Sequence, residues 1–332
     1  MLEQELFVAV RAVREASRVC RKVQSALVTA DTLEKKDKSP VTVADFASQA
    51  VVCKQLGEHF PLDPVVGEEG ADDLRGDEAD ELREAVRVVV SRSVGEDASD
   101  TAVLSWIDRG AFDPAEADEK LRKRYWTLDP IDGTKGFLRG EQYAVALALI
   151  IDGEVALGVL GCPNLDDGEG NTGTLFAAVR GQGAVRLPVE GDGTDGTPIM
   201  VDETDAPSGG RFCESVESGH SNQGDSAQIA KKLGITAEPY RIDSQCKYAA
   251  VGRGDASIYL RLPTRKGYEE KIWDHAAGVI VVEEAGGVVT DVTGKPLDFS
   301  IGRTLKDNTG VVATNGKFHD EVIDAVRAVL GV

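Results

Sequence analysis

The sequence is short of basic residues for the acids it carries. Lysine and arginine total 37 against 57 aspartates and glutamates, a formal charge of −20. A field of that sign repels polyanions, which argues against a nucleic-acid surface or an anionic membrane as partner. Cysteines are few as well: Cys20, Cys53, Cys162, Cys213 and Cys246, with no CxxC pair. An odd and scattered set excludes a disulfide framework and a zinc ribbon, and fits a reducing compartment. Long apolar runs are missing. The segment from Tyr143 to Gly158 is broken by Asp152, Gly153 and Glu154 and is no membrane span. The amphipathic N-terminus has neither the apolar centre of a signal peptide nor the acid-poor character of a transit peptide, so a cytoplasmic location is expected.

What is present suits a folded chain. Of 332 residues, 42% are hydrophobic and 28% charged, enough for a sizeable core in one large domain or two ordinary ones. Leu6, Val10, Val13, Val19, Val23 and Leu27 recur at helical spacing and predict a first helix over Glu3 to Thr29. A loop over Asp31 to Pro40 and a second helix over Val43 to Leu56 follow. Pro64-Val65-Val66 reads as a short strand running into Gly67-Glu68-Glu69-Gly70. Acid-rich Asp72 to Glu81 reads as a solvated loop, with helices over Leu82 to Val90 and Asp100 to Ile107. Strands are expected around Trp126 to Asp129, Tyr143 to Ile151, Val155 to Leu160 and Thr174 to Val179, the middle pair joined by Asp152-Gly153. Beyond a Gly/Asp-rich boundary at Gly191 to Gly196, strands near Arg211, Tyr240 and Ala256 alternate with helices near Ser226, Cys246, Asp274 and Gly316. That alternation predicts an α/β second half.

Three acid clusters stand where strands or loops meet helices: Glu68-Glu69, Asp129-Pro-Ile-Asp132-Gly-Thr134, and Trp273-Asp274-His275. Taken singly they are ordinary. Asp-Pro and Asp-Gly form turns, and an acid before an apolar run often opens a helix. Converging from distant segments, they would instead form a site for hard divalent cations, which prefer carboxylate, carbonyl and phosphate oxygens. Pro130 prevents regular helix at Asp129. A turn there aims both carboxylates and the Ile131 carbonyl inward, and Gly133-Thr134 opens a helix toward a phosphate. Cations held in this way lower the pKa of water and clamp attacking and leaving oxygens.

In order, VVGEEG (65–70), LDPIDGTKGFLRG (128–140) and WDHAAGVIVVEEAGG (273–287) resemble the lithium-sensitive, Mg²⁺-dependent inositol monophosphatase superfamily. KSPVTVAD (38–45), the KGFLRG after Asp-Gly-Thr, and RIDSQCKYAAVGRGDASIYLRLP (241–263) running into EKIWDH resemble its 3′(2′),5′-bisphosphate nucleotidase branch. The resemblance covers essentially the whole chain. It implies an α/β (α+β) fold, a layered α/β/α/β/α sandwich. Residues 1–190 would carry most metal ligands, and residues 191–332 the nucleotide contacts and Asp274. It implies Mg²⁺, two or three ions per site with Li⁺ inhibitory, held by Glu68, Asp129, Ile131, Asp132 and Asp274. Asp45 and Thr134 would position and activate water. Gly133, Thr134, His220, Ser244, Lys247 and Arg261 would bind substrate.

The activity implied is removal of the 3′-phosphate from 3′-phosphoadenosine 5′-phosphate (PAP), giving AMP, with action also on its sulfated form, PAPS. The resemblance leans toward a monomer. Inositol polyphosphate 1-phosphatase and inositol monophosphatase activities, and a non-catalytic PAP sensor, are the alternatives. The Lys247 and Arg261 pair suits a second phosphate and disfavours a monophosphate.

Overall fold

Ala144 to Ile150 are buried one after another, a pattern that only a strand covered on both faces produces. The computed structural model describes residues 2–29, 39–216, 223–263, 265 and 267–332, and this strand lies at its centre. The first half opens with helices α1 (Glu3–Thr29) and α2 (Ser39–His59), then strand β1 (Val65–Gly67). Helices α3 (Asp80–Val94), α4 (Asp100–Asp108) and α5 (Glu119–Arg122) lead to β2 (Arg124–Asp132) and α6 (Thr134–Leu138). A meander completes it: β3 (Ala144–Ile151), β4 (Glu154–Asp166), β5 (Thr172–Val179), β6 (Ala184–Pro188) and β7 (Thr197–Pro198). β1 to β7 form one sheet in sequence order, antiparallel except for the β1–β2 pair. Asp152 and Gly153, at φ 51° and 84°, make the tight turn between β3 and β4 that Asp-Gly predicts.

The second half contributes β8 (Phe212–Glu214), α7 (Gln223–Leu233), β9 (Tyr240–Arg241), α8 (Cys246–Gly252) and β10 (Ile258–Arg261). It ends with α9 (Ala276–Glu284), β11 (Val288–Thr290), β12 (Val311–Thr314) and α10 (His319–Leu330). The second sheet runs β11-β12-β10-β8-β9. α1 and α2 cover one face of the first sheet; α8 and α9 fill the space between the sheets; α7 and α10 close the far side. Ala276 to Val282 are all buried because α9 has a sheet on either side. The layers are therefore α/β/α/β/α, and the expected fold class is found.

The local differences have physical causes. α2 begins at Ser39, ahead of the expected Val43, with a proline in its first turn where no N–H partner is needed. Asp72 to Glu81 contains two 3₁₀ turns, and α3 starts at Asp80 and runs to Val94. The segment from Asp129 to Asp132 is not a turn. It continues β2, with a register shift against β3 that absorbs Pro130. β11 and β12 are too short to show a period of two, and sequence reasoning missed them. Of the loop expected over Asp31 to Pro40, residues 31–38 lie outside the described residues, as does His220, and Ser39 and Pro40 belong to α2.

Candidate active site

β1 and β2 run parallel, their pairing ends at Gly67 and Leu128, and Glu68 N–H donates to the Leu128 carbonyl at 3.2 Å. This puts Glu68 beside Asp129, where the bulge turns Asp132 to the same side. Gly133 then needs its positive φ of 94°, and a Cβ on it would lie 2.8 Å from the Ser244 Cβ. The Ser244–Gln245 corner thus sits against the end of β2. There, Gln245 N–H donates to an Asp132 carboxylate oxygen at 2.5 Å. The Gln245 side chain donates to the Trp273 carbonyl at 2.8 Å and accepts from Gly278 N–H at 3.2 Å, fixing the 3₁₀ turn Ile272–Asp274 and the start of α9.

The result is one pocket of about 440 Å³. It brings together Glu68, Asp129, Ile131, Asp132, Gly133, Thr134, Ser244, Lys247, Arg261 and Asp274, every predicted site residue except Asp45 and His220. Asp45, on α2, is not part of this lining. It stands near enough for Glu69, Glu68 and Asp129 to act electrostatically with it. His220 lies outside the described residues, as does Lys38 of the KSPVTVAD segment.

The acids crowd one another. Asp129 is 2% exposed, and its Oδ1 has no hydrogen-bond partner among the described residues. Burial, and then the charges of Glu68 and Asp132, hold its carboxyl well above the usual range. Glu68 is open to the pocket, yet the concavity withdraws enough water to act first on its carboxyl. With the charges of Asp274 and Glu69 added, it is pushed up to about 8. Desolvation followed by Asp132 raises Asp274 to about 6. Desolvation also lifts Asp132, although Lys247 and the Gln245 N–H oppose it, and lifts Asp45, with Glu69 next. Such a set is poorly stable as anions until a cation joins it. An orphaned buried carboxylate oxygen among hard oxygen donors fits a magnesium-type ion.

The basic residues are arranged differently. Lys247 is 5% exposed and has no hydrogen-bond or ion-pair partner among the described residues; its Nζ lies over the Tyr259 ring, 5.2 Å from the centroid. Desolvation lowers its pKa. Arg261 is anchored through Nε to Glu270 Oε1 at 3.1 Å, with Tyr268 beside it in the pocket lining. Glu270 Oε2 lies 3.2 Å from His275 Nε2, and His275 Nδ1 lies 2.7 Å from the Tyr248 hydroxyl. Glu270, Asp274 and His275 each place a ligand atom within 4.8 Å of the others. Two of the three are already spoken for in this chain of bonds, which leaves Asp274 to face the pocket. Burial would raise Glu270, but His275 and then Arg261 outweigh it and hold its carboxyl at about 2.

Sequence reasoning missed several residues that build this site. Gln49 on α2 is fully buried; it donates to the Glu69 and Ile107 carbonyls at 2.6 and 2.9 Å and accepts from Glu69 N–H at 3.1 Å, gripping the loop behind Glu68. Gln245, Glu270 and Tyr268 were likewise unassigned. Gln245 lies beside Ser244 in the quoted motif; Gln49 sits in an apolar helix face, where a buried amide is the one available signal.

No helix among the described residues is long and apolar enough to cross a membrane. Solved structures share the fold over nearly their whole length. An inositol monophosphatase from Anabaena (Nostoc) sp. superposes with a TM-score of 0.64 at 23% identity, covering 98% of this chain and 96% of that one. CysQ from Bacteroides thetaiotaomicron, described as a bacterial member of the inositol monophosphatase family, gives 0.64 at 21%, covering 96% and 98%. In sequence, a 3′(2′),5′-bisphosphate nucleotidase of Schizosaccharomyces pombe is 44% identical over 98% of this chain and 96% of its own length. One from Oryza sativa is 45% identical, over 97% and 93%. The family model described as "Inositol monophosphatase family" matches residues 1–330, the span that holds both sheets and every acid of the pocket, and the chain belongs to that family.

Proposed function

We propose that the chain is a magnesium-dependent 3′(2′),5′-bisphosphate nucleotidase that hydrolyses the 3′-phosphate of PAP to AMP and phosphate, and acts likewise on PAPS. The observation that carries the reading is the opposition within one pocket: carboxylates in need of a cation, and a buried Lys247 in need of an anion. A bisphosphate with magnesium supplies both. The names of the full-length relatives point to the same substrate class, and the family is generally magnesium-dependent.

Glu68, Asp129, Asp132, Asp274 and the Ile131 carbonyl would hold the ions, two or three per site, with lithium competing for one position. When bound, magnesium supplies Lewis acidity, lowering the pKa of water and offsetting charge on the phosphate. Thr134, at the exposed start of α6, orients the attacking water, and Asp45, its carboxyl held high, takes part from behind the Glu68–Glu69 pair. Gly133 leaves room for the scissile phosphate. Lys247 and Arg261 grip the phosphate that stays, and Glu270 keeps the Arg261 fork turned toward it. Ser244 and His220 complete the nucleotide contacts. We take the working form to be a cytoplasmic monomer acting on free nucleotides, since a charge of −20 disfavours polyanionic partners.

The test is phosphate release with Mg²⁺ from PAP, inositol 1,4-bisphosphate, inositol 1-phosphate and fructose 1,6-bisphosphate side by side. Strong preference for PAP is expected. Preference for an inositol substrate would keep the acids and discard the nucleotide contacts, and tight PAP binding without release would make the protein a sensor.

A further inference from the structure

Glu68 and Asp274 reach the pocket from distant parts of the chain, yet one residue outside the pocket touches the segments on which both stand. Arg303 lies in the loop between β11 and β12. Its carbonyl accepts from Ile272 N–H at 3.2 Å, Leu305 N–H donates to the Glu270 carbonyl at 2.8 Å, and Lys271 faces Thr304 in an antiparallel bridge. This small ribbon holds the Ile272–Asp274 turn. The side chain points to the other segment. Nη2 donates to the Gly67 carbonyl at 2.5 Å, and Nη1 to the Phe112 carbonyl at 2.8 Å. The guanidinium carbon lies over the Trp273 ring, 4.9 Å from its centroid.

The peptide next to Glu68 and the ring next to Asp274 therefore bear on a single planar group. Arg303 has no carboxylate within 4.0 Å among the described residues; its partners are carbonyls and an indole face. A half-buried guanidinium with no carboxylate in ion-pair contact, only Asp113 acting on it at longer range, is a costly way to gain stability. What its rigid fork does supply is direction, since three carbonyls, those of Gly67, Gly110 and Phe112, and one ring fix its plane. Lysine keeps the charge and loses that geometry.

We propose that Arg303 is a positioning residue for cation binding: it sets the separation between the Glu68 loop and the Asp274 turn, so that both carboxylates serve one cluster of ions. The proposal rests on the reading of those acids as magnesium ligands. Groups that orient ligating side chains in this way are worth about 10–100-fold in metal affinity or activity.

The experiment titrates metal-free wild type, Arg303→Lys and Arg14→Lys with Mn²⁺ by calorimetry. Alongside it, thermal melts in chelator and the Mg²⁺ dependence of phosphate release are measured. Arg14 is the control: it is also buried and donates to backbone carbonyls, that of Gly193 at 2.8 Å, away from the pocket. Arg303→Lys is expected to bind Mn²⁺ about 10–100-fold more weakly and to need correspondingly more Mg²⁺. Once the metal is saturating, its nucleotide KM should match wild type. Arg14→Lys should lower the melting temperature and leave metal affinity unchanged. If Arg303→Lys fails to fold, Trp273→Leu, which removes the stacked face and keeps the fork, should show a smaller weakening in the same direction. Wild-type metal affinity in the folded Arg303 or Trp273 variant, or equal weakening in Arg14→Lys, overturns the proposal. No binding by wild type overturns the reading of the acids, and this proposal with it.

Discussion

The acidic and basic residues of the pocket are held in opposite ways. The acids come from three places in the chain and stand against one another, so that Glu68, Asp129, Asp132 and Asp274 all resist ionisation. Lys247 and Arg261 also repel each other, but each has a carboxylate acting on it from nearby, Asp132 on Lys247 and Glu270 on Arg261. Lys247 is buried with no carboxylate in ion-pair contact among the described residues, and Arg261 is locked by Glu270 into a fixed fork. Crowding of like charge creates affinity for a mobile ion of opposite sign; isolation of a charge creates affinity for part of a substrate. On the proposed function, the first would govern whether bonds break and the second which molecule is held.

The largest break in this contrast comes from the acids. Asp132→Asn or Asp274→Asn should lower turnover at saturating Mg²⁺ by about a thousandfold, the scale of losing a main electrostatic contact to the transition state. Melting of the metal-free protein should stay within a few degrees of wild type, because each substitution also relieves repulsion. Near-normal phosphate release from either variant would sink the assignment.

On the basic side the effect should fall on binding. Lys247→Met should raise the KM for PAP about 10–100-fold, from the loss of charge-assisted bonds worth about 1.5–3 kcal/mol. Turnover at saturating substrate should change much less. Steady-state kinetics separate the two, and a fall in kcat with KM unchanged would move Lys247 into the chemistry.

Proton linkage sharpens the contrast further. Glu68 and Asp274 hold protons more tightly folded, at about 8 and about 6, than at their ordinary 4.5 and 3.8. The stability they lend the metal-free protein is full below those ordinary values and is lost as pH rises through about 6 and then about 8. Bound magnesium needs the ionised forms. The melting-temperature gain on adding Mg²⁺ should therefore be larger at high pH than at low, as scans at pH 6 and 8.5 in chelator and in Mg²⁺ would show. An equal gain at both would mean that these carboxyls are not the ligands.

The smallest effect is expected at Gln49. Its replacement by alanine strands the Glu69 peptide groups and should cost about 1–3 kcal/mol in urea unfolding, with a modest rise in the Mg²⁺ requirement. Unchanged stability would show that the Glu68 loop is held from elsewhere.

The acids and the Lys247–Arg261 pair were legible in the sequence because chemistry restricts which residue types can do such work, and the motifs carry them in a fixed order. The layered fold was legible too, through the spacing of Leu6 to Leu27 and the apolar strands around Tyr143. What stayed hidden is the framework behind the site. Gln49, Gln245 and Arg303 act by donating to backbone carbonyls far away in the chain, such as those of Ile107, Trp273 and Gly67. Any residue type offers a carbonyl, so the accepting end leaves no mark. The bulge at Asp129–Asp132 was hidden for a related reason: Pro130 forbids helix, but only pairing with β3 decides between a turn and a strand.

The most direct test compares kcat/KM for PAP and for adenosine 3′-monophosphate in Mg²⁺, using wild type and Lys247→Met. Both substrates offer the scissile 3′-phosphate to the acids, and only PAP offers a second phosphate to Lys247 and Arg261. Wild type should prefer PAP by roughly a hundredfold, the scale of a charge-assisted phosphate contact, and Lys247→Met should erase most of that preference. Equal rates on the two substrates in wild type, or a preference untouched by the substitution, would contradict the division of labour between the acids and the basic pair.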